Sequence, residues 1–197
     1  MSGALLIAVA AFATIGCDNN RTHDPGLVQA PRFVDEKGER DRAWLMSHHA
    51  NRGSYALTID DGTAIIERTG PEPWGLLSQF FPREVVEELA GRTLAFSADL
   101  KLDLEDDTWG TPIEPVGFRV KVFKARDPRG NPLHAMLGVR PQENFVLNVP
   151  NDVTQRDWQR YTLEFRLPDD AWEIEAAVFM SRGGRLYVRN PSLTVVD

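Results

Sequence analysis

The sequence predicts an all-β sandwich of two antiparallel sheets packed face to face, and three observations predict it. Apolar residues recur at every second position in one stretch after another. Gly, Pro and Asp punctuate those stretches as turns. Helical spacing is confined to a single short segment, which excludes a regular alternation of strands and helices.

Strands are expected from Gly53 onward. Tyr55, Leu57 and Ile59 alternate with Ala56 and Thr58. Asp60-Asp61-Gly62 is a hairpin turn signal, after which residues 63–68 return as a second strand. Residues 74–81 are a third candidate. Residues 82–90, PREVVEELA, read as a helix: Pro near its start, acids early, Val85, Val86 and Leu89 at helical spacing, and Gly91 as the stop. Residues 93–103 give the clearest strand. There Leu94, Phe96, Ala98, Leu100 and Leu102 face a core while Thr93, Ser97, Asp99 and Lys101 face water. Val116, Phe118, Val120 and Val122 repeat the rule, as do Tyr161, Leu163, Phe165 and Leu167, and then Ile174, Ala176, Val178 and Met180. Residues 185–188 and 193–196 close the chain as two strands separated by Asn190-Pro191.

A length of 197 residues suits one domain and is enough to bury a core without cross-links. The apolar fraction of 42% and charged fraction of 26% are those of a globular protein. Twenty-nine acids against twenty-two bases give a net charge of −7, with no basic stripe, which argues against a nucleic-acid partner. The single cysteine, Cys17, excludes an internal disulfide and a Cys-rich metal site.

The first seventeen residues read MSGALLIAVAAFATIGC. An apolar run of this length is a signal-peptide core and is too short for a membrane span of roughly 20 residues. Its end, Thr14-Ile15-Gly16-Cys17, resembles a bacterial lipobox, although Thr14 stands where that family usually has Leu. The resemblance implies cleavage before Cys17, diacylglycerol and palmitate-type acylation of that cysteine, and a lipoprotein facing the periplasm. Asp18 resembles an inner-membrane retention signal of enteric bacteria, and the choice between inner and outer membrane stays open. The expected organisation is therefore a signal peptide over 1–16, a lipidated cysteine and Pro/Gly-containing tether over 17–31, and one domain over 32–197.

The tail, DWQRYTLEFRLPDDAWEIEAAVFMSRGGRLYVRNPSLTVVD, and the middle strand, LAGRTLAFSADLKL, resemble the galactose-binding-like jelly rolls, the superfamily of many carbohydrate-binding modules. The likeness spans about residues 53–197 and implies a jelly-roll β-sandwich. It also implies that Trp158 and Tyr161 are core-packing aromatics and that Gly184 is the glycine of the last hairpin. Arg189-Asn190 stands where relatives often have two aspartates. Some relatives carry a structural calcium on a C-terminal acid, which Asp197 resembles; no other cofactor is implied.

Catalytic signatures are absent: no GxSxG, no phosphate loop, no HExxH. His48 and His49 are adjacent, so a strand would point them to opposite faces, and neither has evident metal-ligand company with His23 or His134. The acids Glu105-Asp106-Asp107 and Asp169-Asp170 read as solvated turns and do not specify a proton donor and a nucleophile. Aromatics carry the binding signal. Trp74, Trp109, Trp172 and Tyr187 are candidates for stacking on sugar rings, and Phe123, like Phe179, is out of phase with the apolar face of its strand. Arg119 and Lys121 lie on the wet face beside them. The expectation is a non-enzymatic envelope lipoprotein that binds carbohydrate. A protein-interaction scaffold is the alternative, and a cell-wall glycan enzyme is a third reading.

Overall fold

The computed structural model describes residues 24, 26–105, 116–124, 142–150 and 153–197. Its strands are β1 (Leu45–His48), β2 (Tyr55–Asp60), β3 (Thr63–Arg68), β4 (Gly75–Phe81), β5 (Thr93–Leu104), β6 (Val116–Lys124), β7 (Gln142–Asn148), β8 (Gln155–Arg166), β9 (Ala171–Met180) and β10 (Gly184–Val195). A short helix, α1 (Arg83–Glu87), follows β4. The first sheet has the order β2-β3-β10-β5-β8 and the second β1-β4-β9-β6-β7. Every strand pair is antiparallel. The chain crosses repeatedly between the sheets, and the result is the expected jelly-roll sandwich.

Period two fixes the core. Leu94, Phe96, Ala98, Leu100 and Leu102 are all buried on one face of β5, as are Val116, Phe118, Val120 and Val122 on β6. The rings of Phe96 and Phe118 meet across the two sheets with centroids 5.1 Å apart. Burying each such side chain contributes roughly 1.5–3 kcal/mol. The hairpin from β2 to β3 turns on Asp61 and Gly62, both at positive φ (39° and 72°), which matches the right-handed strand twist. At Gly184 (φ 89°) a Cβ would sit 2.3 Å from the Asp103 carbonyl oxygen, so only glycine admits this approach of β10 to β5.

Four features differ from the sequence reading. The helix is shorter than 82–90, ending at Glu87 and leaving Val86 as its buried anchor. The last strand is continuous: a bulge between Arg189 and Ser192 absorbs Asn190-Pro191, and Asn190 takes φ 51° there. Two strands, β1 and β7, were not expected. Residues 26–31, read as tether, belong to the domain. Gly26 bridges Leu193, the Leu27 amide donates to the Leu193 carbonyl at 2.8 Å, and Val28 is buried. Further along this segment, Phe33 and Trp44 are fully buried with rings 4.9 Å apart.

The sheets are joined at one end by a buried carboxylate. Glu72, between β3 and β4, accepts from the backbone amides of Ala50, Arg52 and Ser54, between β1 and β2. Burial pushes its carboxyl up, but hydrogen bonds from the Ala50, Ser54 and Arg52 amides and the Ser54 hydroxyl outweigh that and bring it to about 2. Two crossover loops are thereby tied to one charge.

Candidate functional site

The outer face of the first sheet carries a trough. Its floor follows the strand register: Thr58, Ile65, Tyr187 and Lys101 stand side by side on β2, β3, β10 and β5. Leu186 and Val188 point inward and are buried, so Tyr187 between them points out. Trp158 rises from β8, its ring 6.5 Å from that of Tyr187 at an interplanar angle of 74°. One depression, about 390 Å³, runs from Trp158 and Tyr187 to the Asp60–Thr63 hairpin and Arg32. A second, about 520 Å³, continues past Lys101 and Tyr187 to Gln155, Arg156 and Asp157. Because both share Lys101 and Tyr187, they form one open groove.

Cations cap the rings. The Arg189 guanidinium lies 4.0 Å from the Trp158 centroid, and the Lys101 ammonium 5.5 Å from that of Tyr187. Asp99 organises one end: it accepts from Arg160 Nη1 at 3.0 Å and Asn190 Nδ2 at 2.8 Å, while Arg189 Nε is 3.6 Å from its Oδ2. That last distance exceeds a hydrogen bond, and Arg189 Nε is buried with no partner. The left-handed turn at Asn190 is what aims its amide at Asp99. Arg32 reaches from the amino-terminal segment to Asp61 at 3.1 Å and forms the far wall.

Trp158 is thus a correction. The resemblance assigns it to the core, yet it is half-buried on the outer face, while Tyr161 packs against the core. The spacing carries the reason. Residues three apart in a strand lie on opposite faces, so Trp158 and Tyr161 cannot both point inward. Period two was the available signal for Trp158, Lys101 and Arg189; Arg32 and Asn190 had none, because they depend on loop geometry.

The other sequence candidates disperse. Among the described candidates, Tyr187 alone lies in the trough. Trp74 is edge-on to His49 at 5.8 Å, beside the Glu72 loops. Trp172 has the Arg83 guanidinium 4.0 Å from its ring centroid, at the helix. Phe123, Arg119 and Lys121 lie on the outer face of the second sheet, where Lys121 pairs with Glu175 at 3.4 Å. Trp109 and Cys17 fall outside the described residues, as do His23, His134 and the acids at 106 and 107. The histidine pair diverges as expected: His48 faces Glu72 and Tyr55, His49 faces Trp74. Asp170 pairs with Lys124 at 3.4 Å. Asp197, the calcium candidate, accepts from Arg92 Nε at 2.9 Å and the Thr93 amide at 3.1 Å. The Arg92 hydrogen bond is the main reason its carboxyl is held down. Among the described residues, no group of three or more His, Cys, Asp or Glu is placed to hold a metal.

The second sheet's outer face is different in kind. Leu45, Phe80 and Val146 are exposed there at 47%, 41% and 51%. Leu45 and Val146 mark the two ends of one cross-strand row, through Ser78, Ala177 and Arg119.

The architecture defines this chain as a two-sheet antiparallel jelly-roll sandwich. No family model and no curated protein matches the sequence. Among solved structures it is similar to the enzymatically active domain of tailspike protein 4 of bacteriophage CBA120, with a TM-score of 0.52 at 13% identity. That match covers 79% of this chain but 20% of the tailspike chain. TmCBM61, solved with β-1,4-galactotriose, is similar at a TM-score of 0.48 and 14% identity, covering 88% of this chain and 100% of that one. The C-terminal family 22 carbohydrate binding module of Clostridium thermocellum Xyn10B is similar at 0.47 and 11%, covering 78% and 86%. The likeness in each case is one of fold.

Proposed function

We propose that this chain is a non-catalytic glycan-binding lipoprotein of the bacterial envelope, anchored through acylated Cys17 and reading sugar in the Trp158–Tyr187 trough. The observation that carries the proposal is the trough itself: two aromatic rings set on a rigid sheet, open to solvent and surrounded by polar side chains. Pyranose rings present C–H faces that stack on such rings while amides, carboxylates and cations take the hydroxyls. The two depressions joined at Lys101 and Tyr187 make an elongated groove, which suits a stretch of chain more than a single small molecule. The non-catalytic reading draws support from the trough's acids: Asp61 is paired with Arg32, Asp99 with Arg160, and Asp103 accepts from Gln155 at 2.7 Å.

The test is an oligosaccharide array probed with the full-length protein in detergent micelles. Binding that falls at least tenfold in Trp158→Ala, with an unchanged circular dichroism spectrum, supports the site. Binding that survives Trp158→Ala and Tyr187→Ala together would place any ligand elsewhere. Mass spectrometry of the mature amino terminus tests the anchor: an acylated cysteine is expected, and an unmodified Met1 would refute it.

A second reading has its own observation. The exposed Leu45, Phe80 and Val146 on the opposite face are apolar groups of the type found in protein interfaces, and they support a scaffold role at that face. Capture of a single envelope protein that is lost in the triple serine variant of these positions would favour it.

A further inference from the structure

We infer that the trough selects a glycan bearing a single uronic acid, its carboxylate held between Lys101 and Arg189. The inference rests on the glycan reading above and names its ligand class. Three observations carry it. Lys101 has Tyr187 as its one described contact and has no acidic partner among the described residues. Arg189 is partly exposed, and Asp99, which also accepts from Arg160 and Asn190, stands 3.6 Å from its Nε, beyond hydrogen-bond distance, so its guanidinium is only loosely paired. Each cation covers a face of one of two rings whose centroids are 6.5 Å apart and whose planes meet at 74°, so both lie close to a sugar ring stacked on the part of either ring that the groove leaves open.

The local charge agrees. Arg32 and Asp61 cancel as a pair, and Asp99 is outnumbered by Arg160 and Arg189. With Lys101 the region around Trp158 and Tyr187 is locally positive, while over the whole groove Arg32, Lys101, Arg156 and Arg189 are balanced by Asp60, Asp61, Asp103 and Asp157. A uronate carboxylate lies on the ring carbon, within a few ångströms of the stacked C–H face, and so reaches cations held against these aromatic rings. The overall negative field, together with exposed Asp60 and Asp157 at the two ends of the groove, disfavours a polymer charged at every residue. One acid within an otherwise neutral chain is what the pattern fits.

The experiment pairs each uronate-bearing tetrasaccharide with its carboxyl-reduced neutral counterpart and measures both by titration calorimetry against the full-length protein. The uronate member is expected to bind about tenfold tighter. That preference should vanish in Lys101→Met, persist in Lys101→Arg, and fall as salt rises. Equal binding of both members, each lost in Trp158→Ala, overturns the uronate inference and leaves the glycan site standing. A preference that survives Lys101→Met in an Arg189→Met background also overturns it. No binding of either member of any pair overturns both readings.

Discussion

The two outer faces of this sandwich are built from the same alternation and carry opposite chemistry. On the first sheet, outward positions hold Trp158, Tyr187, Lys101 and Arg189, so every ring comes with a cation over or beside it. On the second, exposed apolar Leu45, Phe80 and Val146 accompany buried Ser78 and Ala177 and the Lys121–Glu175 pair. A strand's inward residues are dictated by the shared core and leave its outward residues free to vary. The difference between the faces is therefore where function is written, and the core tells nothing about it. A polar aromatic groove fits a hydrated, hydroxyl-rich ligand, whereas exposed apolar side chains fit a protein contact.

The strongest way to break this comparison is to remove what the faces share. Phe96 is fully buried and meets Phe118 across the core. Phe96→Ala should destabilise the fold by roughly 3–5 kcal/mol, read as a drop in the denaturation midpoint. Lys101→Ala, one face over on the same strand, should cost less than about 0.5 kcal/mol. Equal midpoints would mean that inside and outside are wrongly assigned on β5.

Next in size is the test of the groove. Trp158→Ala should cost at least about 1.4 kcal/mol of glycan affinity, the tenfold loss expected of the site, while moving thermal stability little, since the ring is half-buried on the surface. Tyr187→Ala should act in the same direction and by less, because its neighbours Ile65 and Lys101 remain to shape the floor. Surface plasmon resonance on any array hit reads both.

How far the sequence leads is clear from these same residues. The inward sets of β5, β6 and β9 are legible because their alternation is long and uninterrupted. β7 is not, because outward-facing Val146 sits between inward Phe145 and Leu147 and turns alternation into a short apolar cluster. β1, four residues with no fully buried member, has no pattern to read. Of the trough, Tyr187 is legible from phase alone. Trp158 is equally legible by phase, but a family likeness drew it into the core. The bulge in β8 opposite Leu100 and Leu102, and the turn at Asn190, set the groove's final shape and leave no trace in periodicity.

The joint between the sheets offers a pH handle on the comparison. Glu72 is held near 2 in the folded chain against an ordinary value of 4.5. A carboxyl depressed on folding contributes stability that is present above the ordinary value and lost as pH falls toward the folded one. The thermal midpoint should therefore decline between pH 4.5 and pH 2, and Glu72→Gln should flatten that decline while lowering the midpoint at neutral pH. Both outer faces should be affected together, because the β1–β2 and β3–β4 loops that Glu72 ties run between the sheets. An acid profile identical in the variant would show that the charge on Glu72 does not hold the joint.

The smallest effect is expected where the second face is stripped of its apolar groups. Phe80 stands outward on β4 and pairs with Glu175 in register, away from Leu77 and Phe81, which point to the core. Val146 is half exposed on the edge strand β7, and Leu45 lies on the opposite edge, β1. None of the three belongs to the buried cluster between the sheets, so replacing each with serine removes little packing. Each single variant should shift stability by no more than about 0.5 kcal/mol. Glycan affinity should stay within twofold of the parent, because the trough lies on the far side of the core from all three. If the triple variant instead loses glycan binding with its fold intact, the ligand bridges to the second face and the division of labour between the faces fails. If it keeps glycan binding and loses self-association or partner capture, the two faces act independently, and the exposed apolar positions belong to an interaction surface that the grooved face is not.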